Sequence, residues 1–341
     1  MNSFLITIDG GTTNTRAVLW NRQGQVVTTA KDDIGVRNTA IDGNNERLKQ
    51  GVRSLILALL QDAGITITQI QAIYASGMIT SNVGLVEIPH LIAPASIEDF
   101  AAGVQAVYIP DICPLPIHFI PGLKNLPAKM ITLENIESMD IMRGEETEAL
   151  ALLSQIDNTN GCLLVLPGSH TKFVTVDHQG YMTGCLTSLA GEMLSVLTKY
   201  SIVADAVNGQ FVQQCCDPEY LKAGFHAAQS TSCARAAFLV RIANQFLTKN
   251  QNQCASYLLG VVLQNDVASI KTSHALTVNQ DMHVLIAGKD PLRTALKTLF
   301  LEDGYFSNVN TFAPMQNKPI AGHGALLVAQ KRKDFSYEYI K

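Results

Sequence analysis

Several features that mark common protein classes are missing from this chain of 341 residues. It has no basic excess, since its net charge is −4 and its sequence pI is about 6.1. We therefore expect no nucleic acid among its partners. No apolar run approaches the ~18 to 20 residues that a membrane span needs, and the first residues do not form a basic stretch followed by a long apolar run. We accordingly expect no membrane association and a cytoplasmic location.

Metal, redox and common nucleotide motifs are also absent. The seven cysteines form no C-x-x-C pair and have no metal-ligand spacing with histidine, so they are expected to be reduced thiols of no assigned role. Neither a P-loop G-x-x-x-x-G-K-[ST] nor a G-x-G-x-x-G leading into a helix occurs. The segment PGSHTK at 167–172 is not the G-x-S-x-G of a serine hydrolase.

The chain does contain an unusual polar turn near its start, within LITIDGGTTNTRAVLWNRQGQVV at 5–27. Two apolar runs, 4–8 and 17–20, flank a turn of glycines, threonines and an asparagine, which predicts a β-hairpin. Turn amides and threonine hydroxyls could bind phosphate oxygens. Asp9, before the first glycine, could hold Mg²⁺ through water, or it could simply form the turn.

A second segment repeats this pattern at a constant offset of 156 residues. TRAV at 15–18 matches TKFV at 171–174, and NRQG at 21–24 matches DHQG at 177–180. The repeat predicts one such hairpin in each half of the chain, although a chance likeness of two hairpins is the alternative. The length suffices for two cores of roughly 150 to 200 residues each.

Other patterns place helices and strands around these hairpins. Apolar spacing predicts an amphipathic helix over 47–61, and 70–75 reads as a buried strand. Five prolines exclude a helix interior in 110–127, whereas a helix is expected after Gly144. Later segments predict a strand at 282–287, a helix at 292–300 and a final helix after Gly324. The order indicates mixed sheets covered by helices.

These features resemble the actin, Hsp70 and sugar-kinase superfamily. The duplicated hairpins are similar to its two phosphate-binding elements, and GEE at 144–146 resembles the Gly-Asp-Gln whose acid is the catalytic base of many sugar kinases. IAGK at 286–289, which includes Gly288, is similar to the adenosine-loop position of the superfamily. The resemblance implies an α/β fold with two lobes of duplicated ribonuclease H-like topology and an ATP cleft between them.

A narrower resemblance is to the 2-dehydro-3-deoxygalactonokinases, and it extends in family order over nearly the whole chain. The matching segments are DGGTTNTRA (9–17), ASGMITS (75–81), VEIPHLIAPA (86–95), IPGL (120–123), DIMRGEET (140–147), LPGSHTKFV (166–174), AGE (190–192) and GHGALLVA (322–329). One departure is TSNVGL at 80–85, where the family usually has GSRQGW. The exact sugar acid is therefore left open.

The resemblance implies an enzyme that uses ATP and Mg²⁺ to phosphorylate the terminal hydroxyl of a 2-keto-3-deoxy sugar acid. The expected substrate is 2-dehydro-3-deoxy-D-galactonate, converted to its 6-phosphate in galactonate catabolism. The alternatives are a nucleotide-binding regulator with altered catalysis and an assembly ATPase of the same superfamily. The expected lobes are 1–140 and 141–320, with the C-terminal helix of 321–341 packing back on the first, and a homodimer is left open.

The expected site residues follow from the same comparison. Glu145 is the expected general base, although a helix-start acid is the plain alternative. Asp9 is expected to serve catalysis by holding Mg²⁺ through water. Arg16 and Arg143 could face the γ-phosphate or the substrate carboxylate, or form structural ion pairs. The residues expected to bind ATP are Gly10, Gly11, Thr12, Thr13, Asn14, Arg16, Gly168, Ser169, His170, Thr171, Lys172 and Gly288. The residues expected to bind the sugar acid are Ser76, Gly77, Met78, Ser81 and Arg143.

Overall fold

The computed structural model describes residues 3–126, 130–156, 160–212, 215–312 and 319–333. These residues divide into two compact units. The first unit contains 3–126, 141–156 and 319–333, and the second contains 130–140, 160–212 and 215–312. No helix of the described segments is long and apolar enough to cross a bilayer.

The described residues form the following elements in chain order. The strands are β1 (Phe4–Gly10), β2 (Thr15–Trp20), β3 (Val26–Asp32), β4 (Ile70–Gly77), β5 (Leu91–Ile92), β6 (Gln105–Val107), β7 (Ile117–Phe119), β8 (Leu123–Lys124), β9 (Ile141–Met142), β10 (Cys162–Leu166), β11 (Thr171–Val176), β12 (Met182–Ser188), β13 (His283–Ile286) and β14 (Asn308–Thr311). The α-helices are α1 (Val36–Asp42), α2 (Glu46–Ala63), α3 (Ile97–Gly103), α4 (Glu145–Leu153), α5 (Ala190–Tyr200), α6 (Ala204–Val207), α7 (Pro218–Ser230), α8 (Cys233–Phe246), α9 (Gln251–Thr272), α10 (Leu292–Asp303) and α11 (Ile320–Lys331).

Each unit is built on one mixed sheet. The first sheet has the order β3-β2-β1-β4-β7-β6, and the second has the order β12-β11-β10-β13-β14. In both, the first three strands form an antiparallel meander, and the next two strands run parallel to the first strand of that meander. The two sheets therefore share one topology, apart from the extra edge strand β6 of the first unit.

The repeat predicted at an offset of 156 residues is confirmed at the level of single strands. Adding 156 to the bounds of β2 and β3 gives the bounds of β11 and β12. The turns between those strands also agree, since the Asn21 carboxamide oxygen accepts hydrogen bonds from the N–H groups two and four residues later, as the Asp177 carboxylate does. Gly24 and Gly180 have φ of 65° and 89° in these turns. Positive φ favours glycine there.

The core of the first unit confirms the predicted amphipathic helix. The apolar positions 52, 55, 56, 59 and 60 of α2 are all buried, and they pack with strand residues such as Ile6 and Leu19. Burial of one such side chain contributes about 1.5 to 3 kcal/mol to folding. The predicted elements at 70–75, after Gly144, at 282–287 and at 292–300 are likewise present as β4, α4, β13 and α10.

Helices α4 and α11 pack against each other within the first unit. Gly324 makes this approach possible, because a Cβ atom there would overlap the backbone carbonyl of Thr147. At the opposite end of α11, Arg332 donates to the carbonyl of Ala101 at 3.0 Å. The expected boundary between lobes at residue 141 thus differs from the observed division, since residues 141–156 belong to the first unit through this helix pair.

Candidate functional site

The first glycine turn, residues 10–14, ends β1 at a point where no larger residue fits. A Cβ atom on Gly10 would lie 2.5 Å from the Cβ of Ile79. The Gly11 N–H donates to the Asn14 carbonyl at 2.9 Å, which closes the turn. The backbone at this position is therefore fixed by the packing of the turn against the segment after β4.

The start of α1 occupies the carbonyl groups of the same turn. The Gly11 and Thr12 carbonyls accept hydrogen bonds from the first N–H groups of α1, at 3.2 and 2.9 Å. Thr12 and Thr13 are exposed, and no acceptor is found among the described residues for their own N–H groups. The carbonyl groups of the turn therefore bond to the protein itself, while the N–H groups of Thr12 and Thr13 stay at the surface. Exposed N–H groups of this kind can bind an anion.

A group of carboxylates lies next to this turn. Asp9 is partly buried, and Arg16 Nη1 lies 3.9 Å from Asp9 Oδ2. Burial raises the pKa of Asp9, an effect that Arg16 opposes and the nearby Glu145 carboxylate increases. Burial, Asp9 and Glu145 together raise the pKa of Glu148 to about 8. The start of α4 therefore brings two glutamates near Asp9, and a cation there would relieve their mutual repulsion.

Glu148 and Glu146 were not predicted as part of the site. Glu148 follows Glu145 by three residues, a spacing that places both on one side of a helix and could have indicated that Glu148 belongs to the site.

Glu146 is fully buried, its Oε2 accepts the Gly144 N–H at 2.7 Å, and burial raises its pKa to about 8. Gly144 has φ of 113°. Glu146 thus holds the backbone that presents Glu145, and no local sequence pattern reveals its burial.

The residues expected to bind the sugar acid lie in and after the end of β4. Ser76 is fully buried, and the Ser81 hydroxyl donates to the Met78 carbonyl at 2.6 Å. Gly77 has φ of 87°, and a Cβ there would be 3.1 Å from Asp9 Oδ1. The segment therefore adjoins the carboxylate group, while its two serine hydroxyls face the protein interior. Their contact with a substrate stays a prediction.

Arg143 holds the loop that follows this segment. Its Nη1 donates to Thr80 Oγ1 at 2.6 Å, and its Nη2 donates to the Ile88 carbonyl at 2.5 Å. His90 Nδ1 lies 3.3 Å from the same Nη2, and burial together with Arg143 lowers the pKa of His90 to about 4. The arginine thereby fixes the shape of the loop that contains residues 80–85, the position of the family departure.

The second glycine turn, residues 167–170, is held in a similar way by the start of α5. The Ser169 carbonyl accepts the Glu192 N–H at 3.0 Å, and a Cβ atom on Gly191 would overlap the Gly168 carbonyl. His170 is exposed and lies 2.8 Å from the Glu192 carboxylate. As in the first unit, a helix start uses a carbonyl of the turn, while Gly168 and Ser169 line a cavity.

Lys172, the repeat counterpart of Arg16, differs from it in exposure. The Arg16 side chain is 56% exposed, whereas that of Lys172 is 5% exposed. The Lys172 ammonium donates to Thr187 Oγ1 and lies 4.0 Å from Asp140 Oδ1. The expected contact of Lys172 with phosphate stays a prediction, and Asp140 is its ion-pair partner inside the second unit.

A cavity of about 250 Å³ opens beside this second turn. The second glycine turn, α5 and the start of α10 bound this cavity. The lining residues are Gly168, Ser169, Gly191, Leu194, Ser195, Thr198, Lys199, Phe211 and Leu292. Gly288, four residues before Leu292, has φ of 85° and packs on Pro167 of the turn. The cavity combines apolar walls with backbone and hydroxyl donors at one end, which suits a nucleoside attached to phosphates.

No group of three or more His, Cys, Asp or Glu side chains that could hold a metal ion occurs in the described parts of the chain. A site built only from protein ligands is thus not found there. The arrangement is compatible with the other common mode, in which Mg²⁺ is held by one or two carboxylates, water and the phosphates of a substrate.

Comparison with known proteins agrees with this description. The family model for 2-keto-3-deoxy-galactonokinase matches residues 9–313. The chain is similar to the crystal structure of a candidate 2-dehydro-3-deoxygalactonokinase from Sinorhizobium meliloti, with 19% identity, a TM-score of 0.75, and coverage of 96% of this chain and 98% of that one. It is also similar to component A of the (R)-2-hydroxyglutaryl-CoA dehydratase of Acidaminococcus fermentans, with 13% identity, a TM-score of 0.50, and coverage of 97% and 99%. A comparison with curated proteins gave no match.

The duplicated topology and these similarities confirm the predicted actin-like ATPase and sugar-kinase fold. The family match spans far more than half of the sequence. The chain belongs to the 2-keto-3-deoxy-galactonokinase family, and it is a kinase, that is, a phosphotransferase.

Proposed function

We propose that this kinase transfers the γ-phosphoryl group of ATP to the terminal hydroxyl of 2-dehydro-3-deoxy-D-galactonate and forms the 6-phosphate. The observation that carries the proposal is the family match over residues 9–313, which includes both glycine turns and the start of α4. In the proposed role the enzyme acts in galactonate catabolism in the cytoplasm. A homodimer stays a prediction, which sedimentation analysis would test.

The residues around the two turns fit ATP and Mg²⁺. The exposed N–H groups of Thr12 and Thr13 offer donors to phosphate oxygens, and Gly168 and Ser169 do so at the mouth of the cavity beside α5. The partly buried Asp9 would hold Mg²⁺ through water, and a cation bound there would lower the raised pKa of the nearby Glu148 and favour its charged form. Bound Mg²⁺ would neutralise charge on the transferring phosphoryl group.

Glu145 is proposed to accept the proton of the attacking hydroxyl. It begins α4, and its charge affects the pKa of Asp9, so the two carboxylates share one neighbourhood. The buried Glu146 fixes the preceding Gly144 backbone, which limits the orientations that Glu145 can adopt. Phosphoryl transfer needs mainly positioning and charge neutralisation, and a carboxylate in this place completes the set of groups that the reaction requires.

The sugar acid is proposed to bind near the end of β4 and the loop that Arg143 holds. Arg143 is only half-buried and keeps further N–H donors besides the two that bond to Thr80 and Ile88. A guanidinium with donors to spare is suited to the carboxylate of a sugar acid. The family departure at 80–85 lies in the same loop, so it bears on which sugar acid is preferred.

The two alternatives from the sequence, an altered regulator and an assembly ATPase, are not favoured by any specific observation. They differ from the proposal in one measurable property, the dependence of ADP release on a sugar acid. We suggest a coupled ADP-release assay with and without Mg²⁺ over a panel of 2-keto-3-deoxy acids and aldonic acids. Release that requires 2-dehydro-3-deoxygalactonate and Mg²⁺ supports the proposal, whereas release independent of any sugar acid contradicts it.

A further inference from the structure

Asp266 is a buried carboxylate that the proposed reaction does not use directly. It lies on α9 with 2% of its surface exposed. The Ser188 hydroxyl donates a hydrogen bond to its Oδ1, and the Thr171 side chain also interacts with the carboxylate. Burial raises the pKa of Asp266 to about 6, and the two hydroxyls oppose that rise. Such a residue costs folding free energy that an apolar side chain of similar size would not.

The two hydroxyl partners of Asp266 stand at the edges of the second glycine turn. Thr171 is the first residue of β11, directly after the turn, and it is almost fully buried. Ser188 ends β12, and its Oγ accepts the N–H of Ala190 at 3.2 Å, the first residue of α5. One carboxylate therefore connects the strand that leaves the turn with the strand that leads into α5.

The start of α5 lies directly on the turn that Thr171 follows. The Glu192 N–H donates to the Ser169 carbonyl at 3.0 Å, and Gly191 packs on the Gly168 carbonyl so closely that a side chain would not fit. Gly168, Ser169 and Gly191 all line the cavity beside the second glycine turn, whose lining suits a nucleoside. A small displacement of either strand end would therefore change the relative position of turn and helix, and with it the shape of this cavity.

We infer that Asp266 is a positioning residue for ATP, which aligns the second glycine turn with α5 through the hydroxyls of Thr171 and Ser188. This inference rests on the proposed function, because it assigns the ligand of the cavity beside the turn. It predicts an effect confined to ATP, since α9 and both hydroxyls lie in the second unit, whereas the residues proposed for the sugar acid lie in the first.

Asp266→Leu removes the acceptor and keeps the branched shape and the number of side-chain heavy atoms, and Asp266→Asn keeps one acceptor oxygen. Asn265→Ala is a matched control, because Asn265 is exposed on the same helix and donates only to carbonyls of α9.

The measurements are calorimetric titration with ATP, together with kcat and KM for ATP and for the sugar acid. We expect Asp266→Leu to raise Kd and KM for ATP about tenfold, since hydrogen bonds to charged groups are at stake. The KM for the sugar acid should stay within about twofold, Asp266→Asn should recover most of the ATP affinity, and Asn265→Ala should behave as wild type.

A different pattern would overturn the inference. If Asp266→Leu binds ATP as wild type does, or if KM for both substrates rises equally, Asp266 does not position the ATP site. Should Asp266→Leu fail to fold, Ser188→Ala provides the same test, with an expected rise of about threefold or more in Kd for ATP and with unchanged affinity as the contradicting result. If the wild-type protein itself binds no ATP, the proposed function fails, and this outcome is distinct from variants that match an ATP-binding wild type.

Discussion

Replacement of Glu146 by glutamine should stabilise the first unit at neutral and alkaline pH. The Glu146 side chain is fully buried, and its Oε2 accepts the Gly144 N–H at 2.7 Å. Burial is the largest cause that raises its pKa from the ordinary 4.5 to about 8. A glutamine oxygen can accept the same hydrogen bond, and glutamine carries no charge to desolvate.

The magnitude follows from the difference between the two pKa values. In the unfolded chain the carboxyl group loses its proton near pH 4.5, whereas in the folded protein it keeps the proton until about pH 8. Between these values the folded state binds more protons, so the free energy of unfolding decreases as the pH rises. At pH 7, about 2.5 pH units above the lower value, this contribution amounts to about 3 kcal/mol at ~1.4 kcal/mol per unit.

Fluorescence of Trp20 is a suitable assay, because it is the single tryptophan and lies fully buried in the same unit as Glu146. Urea unfolding at pH 5, 7 and 8.5 should show that Glu146→Gln exceeds wild type by about 3 kcal/mol at pH 7 and by little at pH 5. Glu87→Gln, at an exposed glutamate of the same unit, is the matched control and should change stability by less than about 0.5 kcal/mol. Equal stability of wild type and Glu146→Gln at both pH 7 and pH 8.5 would refute the reasoning.

Three further substitutions test the site and the packing. Glu145→Gln should lower kcat by about 100-fold or more, because glutamine cannot accept the proton, while ATP affinity and melting temperature stay unchanged. Asp9→Asn should raise the Mg²⁺ concentration needed for half-maximal rate by about tenfold or more, with no loss of melting temperature, since it removes a partly buried charge. Gly324→Ala should destabilise the protein by about 3 kcal/mol, because the added methyl group meets the Thr147 carbonyl.

Each of these expectations has its own control and its own contradicting result. A Glu145→Gln enzyme that keeps kcat within a few-fold of wild type would make Glu145 a helix-start acid, and Glu148, which interacts with Asp9, the next carboxylate to test. Unchanged Mg²⁺ dependence of Asp9→Asn would assign that residue to the turn alone. Gly51→Ala is the control for Gly324, because its Cβ would meet only side-chain atoms, the nearest at 3.3 Å. A loss of stability as large in Gly51→Ala as in Gly324→Ala would contradict the packing argument.

The duplicated meander was the most predictable part of the fold. Glycines and an Asn or Asp mark its turns in both halves. The backbone conformation of a turn favours these residue types, so the turns can be predicted from the local sequence alone. Strand β3 was not predicted, because four of its seven residues are polar or charged. Its side chains alternate between half-buried and exposed positions, so the strand carries no strong apolar pattern. The helix after Gly144 was predicted from its acidic first turn.

Residues of the candidate site that belong to glycine turns could be predicted from the sequence. Residues that are buried by elements distant in sequence could not. Asp9 and the residues of both turns could be named from local patterns, whereas Glu145 could be named only from the resemblance of GEE to the Gly-Asp-Gln of sugar kinases. The roles of these residues stay predictions. Glu146 and Asp266 could not be named, since their burial depends on α11 or on β11 and β12, which are distant in sequence. The cavity beside α5 also requires Phe211 and Leu292 to meet there, which no local periodicity indicates.

The most direct test of the proposed reaction is the identity of its product. The wild-type protein, incubated with ATP, Mg²⁺ and 2-dehydro-3-deoxy-D-galactonate, can be followed by ³¹P nuclear magnetic resonance. The account predicts a new phosphomonoester whose phosphorus couples to the protons of the terminal carbon, formed in equal amount to ADP. Inorganic phosphate as the sole product beside ADP, or an ester at another carbon, would contradict it.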